Sequence, residues 1–258
     1  MQGQGSRELG IAPGFDERRY LVLTREIICG HQETVVTCAD CNSLLPRSFW
    51  ERLSFQRFMV ELGAYRVTEL TSCLAKGYFE RTVPTRESVE SAWAKLRGTL
   101  LHYAVRSLGW SELQARMSFE NDGRSVTILG HADAYDPETS TIYELKTTRF
   151  AEWQAENGYI PHENHVAQIQ CYQTMLEQHG IPVKRLVMVY VDDCTIHTKQ
   201  GPLGDRRGWM IQRASVLHKA LLTQQSPGAE VGYWCRYCSF FTMCPRKQEA
   251  SLYRKDRK

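Results

Sequence analysis

The chain has 258 residues, enough for one large domain or one domain with a small appendage. Its 42% hydrophobic and 24% charged residues are ordinary for a globular protein, and no apolar run approaches the roughly 18 residues that cross a bilayer, so no membrane partner is expected. The net charge of +3 is too small to argue for nucleic acid by itself. Nine cysteines, an odd number without a charged-then-apolar leader at MQGQGSRELG, argue against a secreted disulfide framework. They point instead to a cytoplasmic protein with metal-bound thiols.

In chain order, residues 1–15 are Gly-rich and polar and read as disordered. Arg25 to Cys41 (REIICGHQETVVTCADC) reads as a short hairpin with Cys and His at its ends. Ser48 to Gly63 has helical character, and Arg66 to Arg81 reads as a second helix with Cys73 in its middle. The clearest helix is Glu87 to Leu108: Thr85 caps it, Glu87 and Glu90 suit its positive end, and Gly109 stops it. Trp93, Leu96, Leu100, Tyr103 and Val105 give that helix its apolar face.

Three strands follow, Ala115 to Glu120, Ser125 to Tyr135 and Thr141 to Thr147, with Asn121-Asp122-Gly123 and Asp136-Pro137 as turns. They suggest an antiparallel meander. A helix is expected over Glu163 to Gln178, a buried strand over Arg185 to Val191, its hairpin partner over Cys194 to Lys199, and a last helix over Asp205 to Leu222. The order predicts an α/β (α+β) fold with a mixed sheet flanked by helices. The tail RKQEASLYRKDRK concentrates basic residues, which suit phosphates or a solvated end.

Chemistry concentrates in GHADAYDPETSTIYELKT, Gly130 to Thr147. Side chains alternate along a strand, so Glu144 and Lys146 share a face and Leu145 points away. A hairpin brings Asp133 beside Glu144, and two carboxylates on one face repel unless a cation sits between them. Hard oxygen ligands favour Mg²⁺ or Mn²⁺, and a lysine beside the ion would orient water and offset phosphate charge. A surface hairpin with an ordinary Glu/Lys pair satisfies the same short pattern. Two additions count against it. His102 offers an imidazole to the ion, and Gln168 and Tyr172, four residues apart, share a helix face.

His102, Gly130-x-x-Asp133, Glu144-x-Lys146 and Gln168-x-x-x-Tyr172, in this order, resemble the motif series of RecB-like PD-(D/E)XK nucleases. The resemblance implies a restriction-endonuclease-like core in which His102, Asp133, Glu144 and the Leu145 backbone carbonyl bind Mn²⁺ or Mg²⁺. Lys146 is then catalytic, and Gln168, whose side chain can position water or phosphate, and Tyr172, whose side chain can contact DNA or the lysine, assist substrate placement.

The segment YWCRYCSFFTMCP supplies Cys235, Cys238 and Cys244, close enough to wrap one cofactor with a fourth thiol. Candidates for the fourth are Cys29, Cys38, Cys41, Cys73, Cys171 and Cys194. Cys73 is favoured because it precedes the helix bearing His102, and Cys171 and Cys194 read better as buried core thiols. Tyr233, Trp234, Tyr237, Phe240 and Phe241 would shield the group. One cysteine before the core and three after it is similar to the iron–sulfur branch of the same nucleases, nearest to the CRISPR-associated exonucleases of the Cas-four family. That resemblance implies an iron–sulfur cluster, usually 4Fe–4S, formed by both ends of the domain; zinc accepts the same four thiolates.

A second set, Cys29-x-His31 and Cys38-x2-Cys41, has zinc-ligand spacing that the family pattern does not include. The expected organisation is a disordered start (1–15), an extension carrying the zinc hairpin (16–65), a nuclease domain with cluster (66–248) and a basic tail (249–258). The resulting reading is a deoxyribonuclease acting on single-stranded DNA ends. It would trim fragments for a CRISPR integrase complex or serve repair and recombination, and a homo-oligomer is compatible with either. The rival readings are a non-catalytic iron–sulfur binding module and a zinc-stapled nucleic-acid adaptor.

Overall fold

The computed structural model describes residues 20–23, 25–29, 31–32, 34, 38–39, 58–107 and 109–253. The expectations for residues 1–15, for Cys41, for 48–57 and for the last five residues lie outside these.

Among the described residues, four small sheets carry the fold. Strand β1 (Tyr20–Leu23) pairs antiparallel with β3 (Phe58–Glu61), and β2 (Arg25–Ile28) pairs parallel with β5 (Thr85–Ser88). A three-stranded sheet runs β4 (Ala64–Arg66), β7 (Arg124–Ala132), β6 (Leu113–Asn121). A four-stranded mixed sheet runs β11 (Ile196–Gly201), β10 (Arg185–Val191), β9 (Thr141–Thr147), β8 (Ala134–Asp136), with β10 parallel to β9. The helices are α1 (Val67–Leu70), α2 (Leu74–Thr82), α3 (Val89–Ser107), α4 (Ala151–Glu156), α5 (Glu163–Gln178), α6 (Arg207–Thr223) and α7 (Lys247–Ala250). Three 3-10 turns, at Tyr233–Tyr237, Phe241–Met243 and Ser251–Tyr253, close the described chain. The architecture is mixed α/β, as expected.

Several local expectations are corrected. The first strand of the hairpin predicted from Arg25, β2, pairs with β5, far along the chain; most of its predicted return lies outside the described residues. The helix predicted to end at Gly63 ends instead as strand β3. The helix over 66–81 is broken between Leu70 and Leu74, and Cys73 stands in the break rather than mid-helix. Distant side chains compensate the interruption: Arg213 donates to the carbonyls of Leu70 (2.5 Å) and Ser72 (2.6 Å), and the Glu230 carboxylate accepts from the Leu74 amide (3.1 Å). With its orphaned backbone groups met from outside, the segment need not stay helical.

The long strand predicted over 125–135 bends at Asp133 and continues in the neighbouring sheet as β8, so the meander is split between two sheets. Asn121-Asp122-Gly123 does form the turn between β6 and β7, with Asp122 at φ 52° and Gly123 at φ 71°. Helix α3 starts at Val89, and 85–88 is strand β5. Its predicted apolar face is open to solvent: Trp93, Leu100 and Tyr103 are 53%, 53% and 63% exposed. The packed side carries small residues instead, with Ala92 buried and Gly98 against Thr147 at the end of β9.

Helix α5 is the central support. Ten consecutive residues, Ala167 to Leu176, are buried, so the helix is enclosed on all sides and shows no polar stripe. Its buried polar groups are matched by the loop before α6. Gln170 donates to the Pro202 carbonyl (2.8 Å), and Gln173 accepts from the Gly204 amide (3.0 Å). Thr174 accepts from the Arg206 amide (2.8 Å). Around α5 lies the main apolar core, with Tyr65, Leu70, Ile128, Ile142, Met175, Leu186 and Met210 among its fully buried members. Among the described residues no helix is long and apolar enough to cross a membrane.

Candidate active site and cysteine cavity

Strand β9 presents Glu144 and Lys146 toward α5, and the bend at the end of β7 sets Asp133 beside them. Glu144 is 2% exposed. Its Oε1 accepts from Lys146 Nζ (2.7 Å) and from Gln168 Nε2 (2.7 Å), while its Oε2, also buried, has no partner among the described residues. Lys146 Nζ also donates to Gln168 Oε1 (2.8 Å), and Gln168 Nε2 donates to the Tyr172 hydroxyl (2.7 Å). Asp133 uses one oxygen to accept from the Leu145 amide (2.7 Å) and the other to hold His102 Nδ1 at 3.0 Å. Gly98, one turn before His102, has only Thr147 Oγ1 within reach of a side chain, so α3 approaches closely enough to deliver the imidazole.

The electrostatics follow from this packing. Burial pushes the Glu144 carboxyl up to about 7, against the pull of Lys146 and with a contribution from the Asp133 charge. The hydrogen bond that His102 donates to Asp133 raises the imidazole above the ordinary histidine range. A buried carboxylate oxygen with no donor is costly unless something positive meets it. One imidazole, two carboxylates and a strand carbonyl form a donor set suited to Mn²⁺ or Mg²⁺.

His102, Asp133, Glu144, Leu145, Lys146, Gln168 and Tyr172 therefore come to one place. Tyr172, 2% exposed, sits behind Gln168, whose side-chain amide donates to its hydroxyl. Two further residues complete the surround: His165, which sequence reasoning missed, and Gly130, which the motif series named without a structural role. His165, on α5, pairs Nδ1 with the Tyr190 hydroxyl (3.0 Å), and burial together with the nearby Lys146 charge lowers it to about 2. Gly130 leaves just enough room for the Tyr172 ring: a Cβ there would stand 2.9 Å from Tyr172 Cδ1 and Cε1 and 3.2 Å from Val67 Cγ2. The spacing of HVAQ one turn before Gln168 was the available signal for His165. Nothing local marked the Gly130–Tyr172 contact.

The cysteines separate into three groups. Cys73, Cys235, Cys238 and Cys244 all line one small cavity, with Phe79, Trp234, Phe240 and Phe241 as its apolar wall. The Cys73 sulfur accepts from the Glu230 amide (3.3 Å) and the Cys235 sulfur from the Gly232 amide (3.5 Å). Burial raises the Cys235 and Cys238 thiols above the ordinary range, and their neighbouring sulfurs raise them further. Of the predicted shield, Tyr237 is instead 65% exposed, and Tyr233 turns away to stack on His162 (4.2 Å between centroids, 15°). Glu230, unnoticed in the sequence, ties the cavity to α6 through Arg213 (2.5 Å).

Cys29, His31 and Cys38 form a second group, considered below; Cys41 lies outside the described residues. Cys171 is a buried core thiol pushed up to about 12, whereas Cys194 is exposed, against expectation.

The sequence model of the PD-(D/E)XK nuclease superfamily matches residues 64–245, which include both the carboxylate site and the cysteine cavity. The chain belongs to the PD-(D/E)XK nuclease superfamily. The nucleases of this superfamily are generally metal-dependent. The crystal structure of SSO0001 is similar with a TM-score of 0.54 and 19% identity, covering 81% of this chain and 98% of that one; at such identity the likeness carries the fold alone. No curated protein matches the chain.

Proposed function

We propose that this PD-(D/E)XK member is a Mn²⁺- or Mg²⁺-dependent deoxyribonuclease that prefers single-stranded DNA. The observation that carries the reading is the buried, partnerless Glu144 Oε2 beside Lys146 and the His102–Asp133 pair. A divalent ion held by His102, Asp133, Glu144 and the Leu145 carbonyl would supply Lewis acidity and offset phosphate charge. Lys146 spends two of its three donors on Glu144 and Gln168, leaving one to hold the attacking water or a phosphate oxygen. Gln168 fixes both Glu144 and Lys146, and Tyr172 fixes Gln168, so the reacting groups keep their positions without substrate.

The single-strand preference rests on the surface just beyond β9. Phe150, Trp153 and Tyr159 are exposed, and Trp153 stacks on Tyr159 (5.2 Å, 17°), a platform of the kind unpaired bases cover. We assign the four-cysteine cavity to an iron–sulfur cluster. Four thiols lining one cavity with an apolar wall support a single shared group there. The cluster would tie the chain end to the start of α2, and through Tyr233 and His162 to the start of α5.

The test is release of nucleotides from labelled single-stranded DNA with Mn²⁺ or Mg²⁺. Asp133→Ala and Lys146→Ala should abolish it while the fold persists by circular dichroism; if both cut like the parent chain, the site assignment fails. Anaerobically purified protein should be brown, with iron and acid-labile sulfide. Colourless protein binding zinc at the four cavity cysteines would remove the cluster. Trimming DNA for a CRISPR integrase and stand-alone repair use the same chemistry, and gene neighbourhood separates them.

A further inference from the structure

Outside the nuclease site, the turn that follows β2 gathers three metal-binding side chains. Cys29 directly continues the strand. The Gln32 amide donates back to the Cys29 carbonyl (3.0 Å), with Gln32 in the left-handed region at φ 65°, which turns His31 toward Cys29. The Cys38 amide donates to the Thr34 carbonyl (2.9 Å) and returns a second thiol to the same place. The sulfurs of Cys29 and Cys38 lie 3.8 Å and 3.4 Å from one atom, His31 Nδ1. Both thiols are buried, at 6% and 2% exposure, while the imidazole is exposed.

Two buried sulfurs converging on one imidazole nitrogen is the arrangement that a shared ion produces. A shared tetrahedral ion accounts for both. With Zn–S near 2.3 Å and Zn–N near 2.0–2.1 Å, the sulfur–nitrogen separation in such a site is about 3.6 Å. The two observed distances bracket that value, and the donor atoms of all three residues lie within 4.8 Å of one another. Two thiolates and one neutral imidazole also balance the charge of a divalent ion and suit soft-to-borderline zinc rather than the hard ion expected at Glu144.

We infer that Cys29, His31 and Cys38 hold a structural zinc ion. The ion closes the turn at the end of β2. That strand pairs residue for residue with β5, Ile28 opposite Ser88, and β5 runs straight into α3, the helix that carries His102. Short strands and tight turns bury little apolar surface of their own, which is where small metal staples contribute most to folding. The inference uses none of the nuclease residues and stands apart from the proposed cluster.

The experiment measures zinc by mass spectrometry in the full chain, purified with zinc present and then freed of loose metal. The parent chain and Cys235→Ser should each hold roughly one zinc per chain, and Cys29→Ser and Cys38→Ser less than about one tenth of that. His31 is exposed, so His31→Ala tests the site without disturbing buried packing; it should lose zinc, and His31→Cys should regain it. Cobalt in place of zinc should give sulfur-to-metal charge-transfer absorbance that vanishes in Cys38→Ser but not in Cys235→Ser. The inference is overturned if the parent chain takes up no zinc, if zinc survives in Cys29→Ser and Cys38→Ser, or if Cys235→Ser removes it.

Discussion

Gly130→Ala offers a test of the site that alters no residue assigned to chemistry. The added methyl carbon would sit 2.9 Å from two carbons of the Tyr172 ring and 3.2 Å from Val67 Cγ2. Carbon atoms rest at roughly 3.5–4.0 Å, so the ring must yield by more than about half an ångström. Tyr172 is 2% exposed on a helix buried through ten residues, and it has little room to move. Overpacking of this kind costs about 1–3 kcal/mol, which in a chain of this size lowers Tm by roughly 2–4 °C per kcal/mol. The same displacement pulls on the 2.7 Å contact from Gln168 to the Tyr172 hydroxyl, and Gln168 in turn holds Glu144 and Lys146. Cleavage should therefore slow by roughly tenfold or more, because misplacement of catalytic groups by a fraction of an ångström is expensive. A double-mutant cycle with Tyr172→Leu, which deletes the ring atoms in conflict, isolates the contact. Gly130→Ala should cost markedly less in that background, with a coupling of at least about 1 kcal/mol. Stability is read by denaturant titration and rate by nucleotide release. Simple addition of the two costs, or a Gly130→Ala chain as stable and active as its parent, would refute the reasoning.

Other outcomes follow from the same geometry. His165 is held neutral, lowered to about 2, so the folded chain binds fewer protons than the unfolded one below about pH 6.5. The stability this group permits is complete above pH 6.5 and falls by about 1.4 kcal/mol per pH unit beneath it. His165→Asn should flatten the acid limb of the stability–pH curve by about one proton, and an unchanged slope would count against the assignment. Trp153→Ala should weaken binding of single-stranded DNA by about 1–3 kcal/mol while leaving duplex affinity and melting nearly unchanged, measured by fluorescence anisotropy. Arg213→Met removes the donors to Leu70, Ser72 and Glu230. It should cost about 3 kcal/mol in unfolding free energy and loosen the cysteine cavity, seen as faster reaction of Cys73 with a thiol reagent.

The amino-acid order by itself determined the alternation that puts Glu144 and Lys146 together and the helical spacing that pairs Gln168 with Tyr172. It also placed most boundaries from β9 through β10, where pattern and turn chemistry agree. These are short-range properties, written in periods of two and of three to four residues. What the chain could not declare locally is everything satisfied from a distance. The break around Cys73 exists because Arg213 and Glu230 meet its backbone, and β2 pairs with β5, far along the chain. Helix α3 turns Ala92 and Gly98 inward, with Gly98 against Thr147 of β9, and leaves Trp93 and Tyr103 outside while His102 reaches Asp133. Only tertiary packing decides such pairings, since the free energy that selects them comes from partners that sequence distance hides.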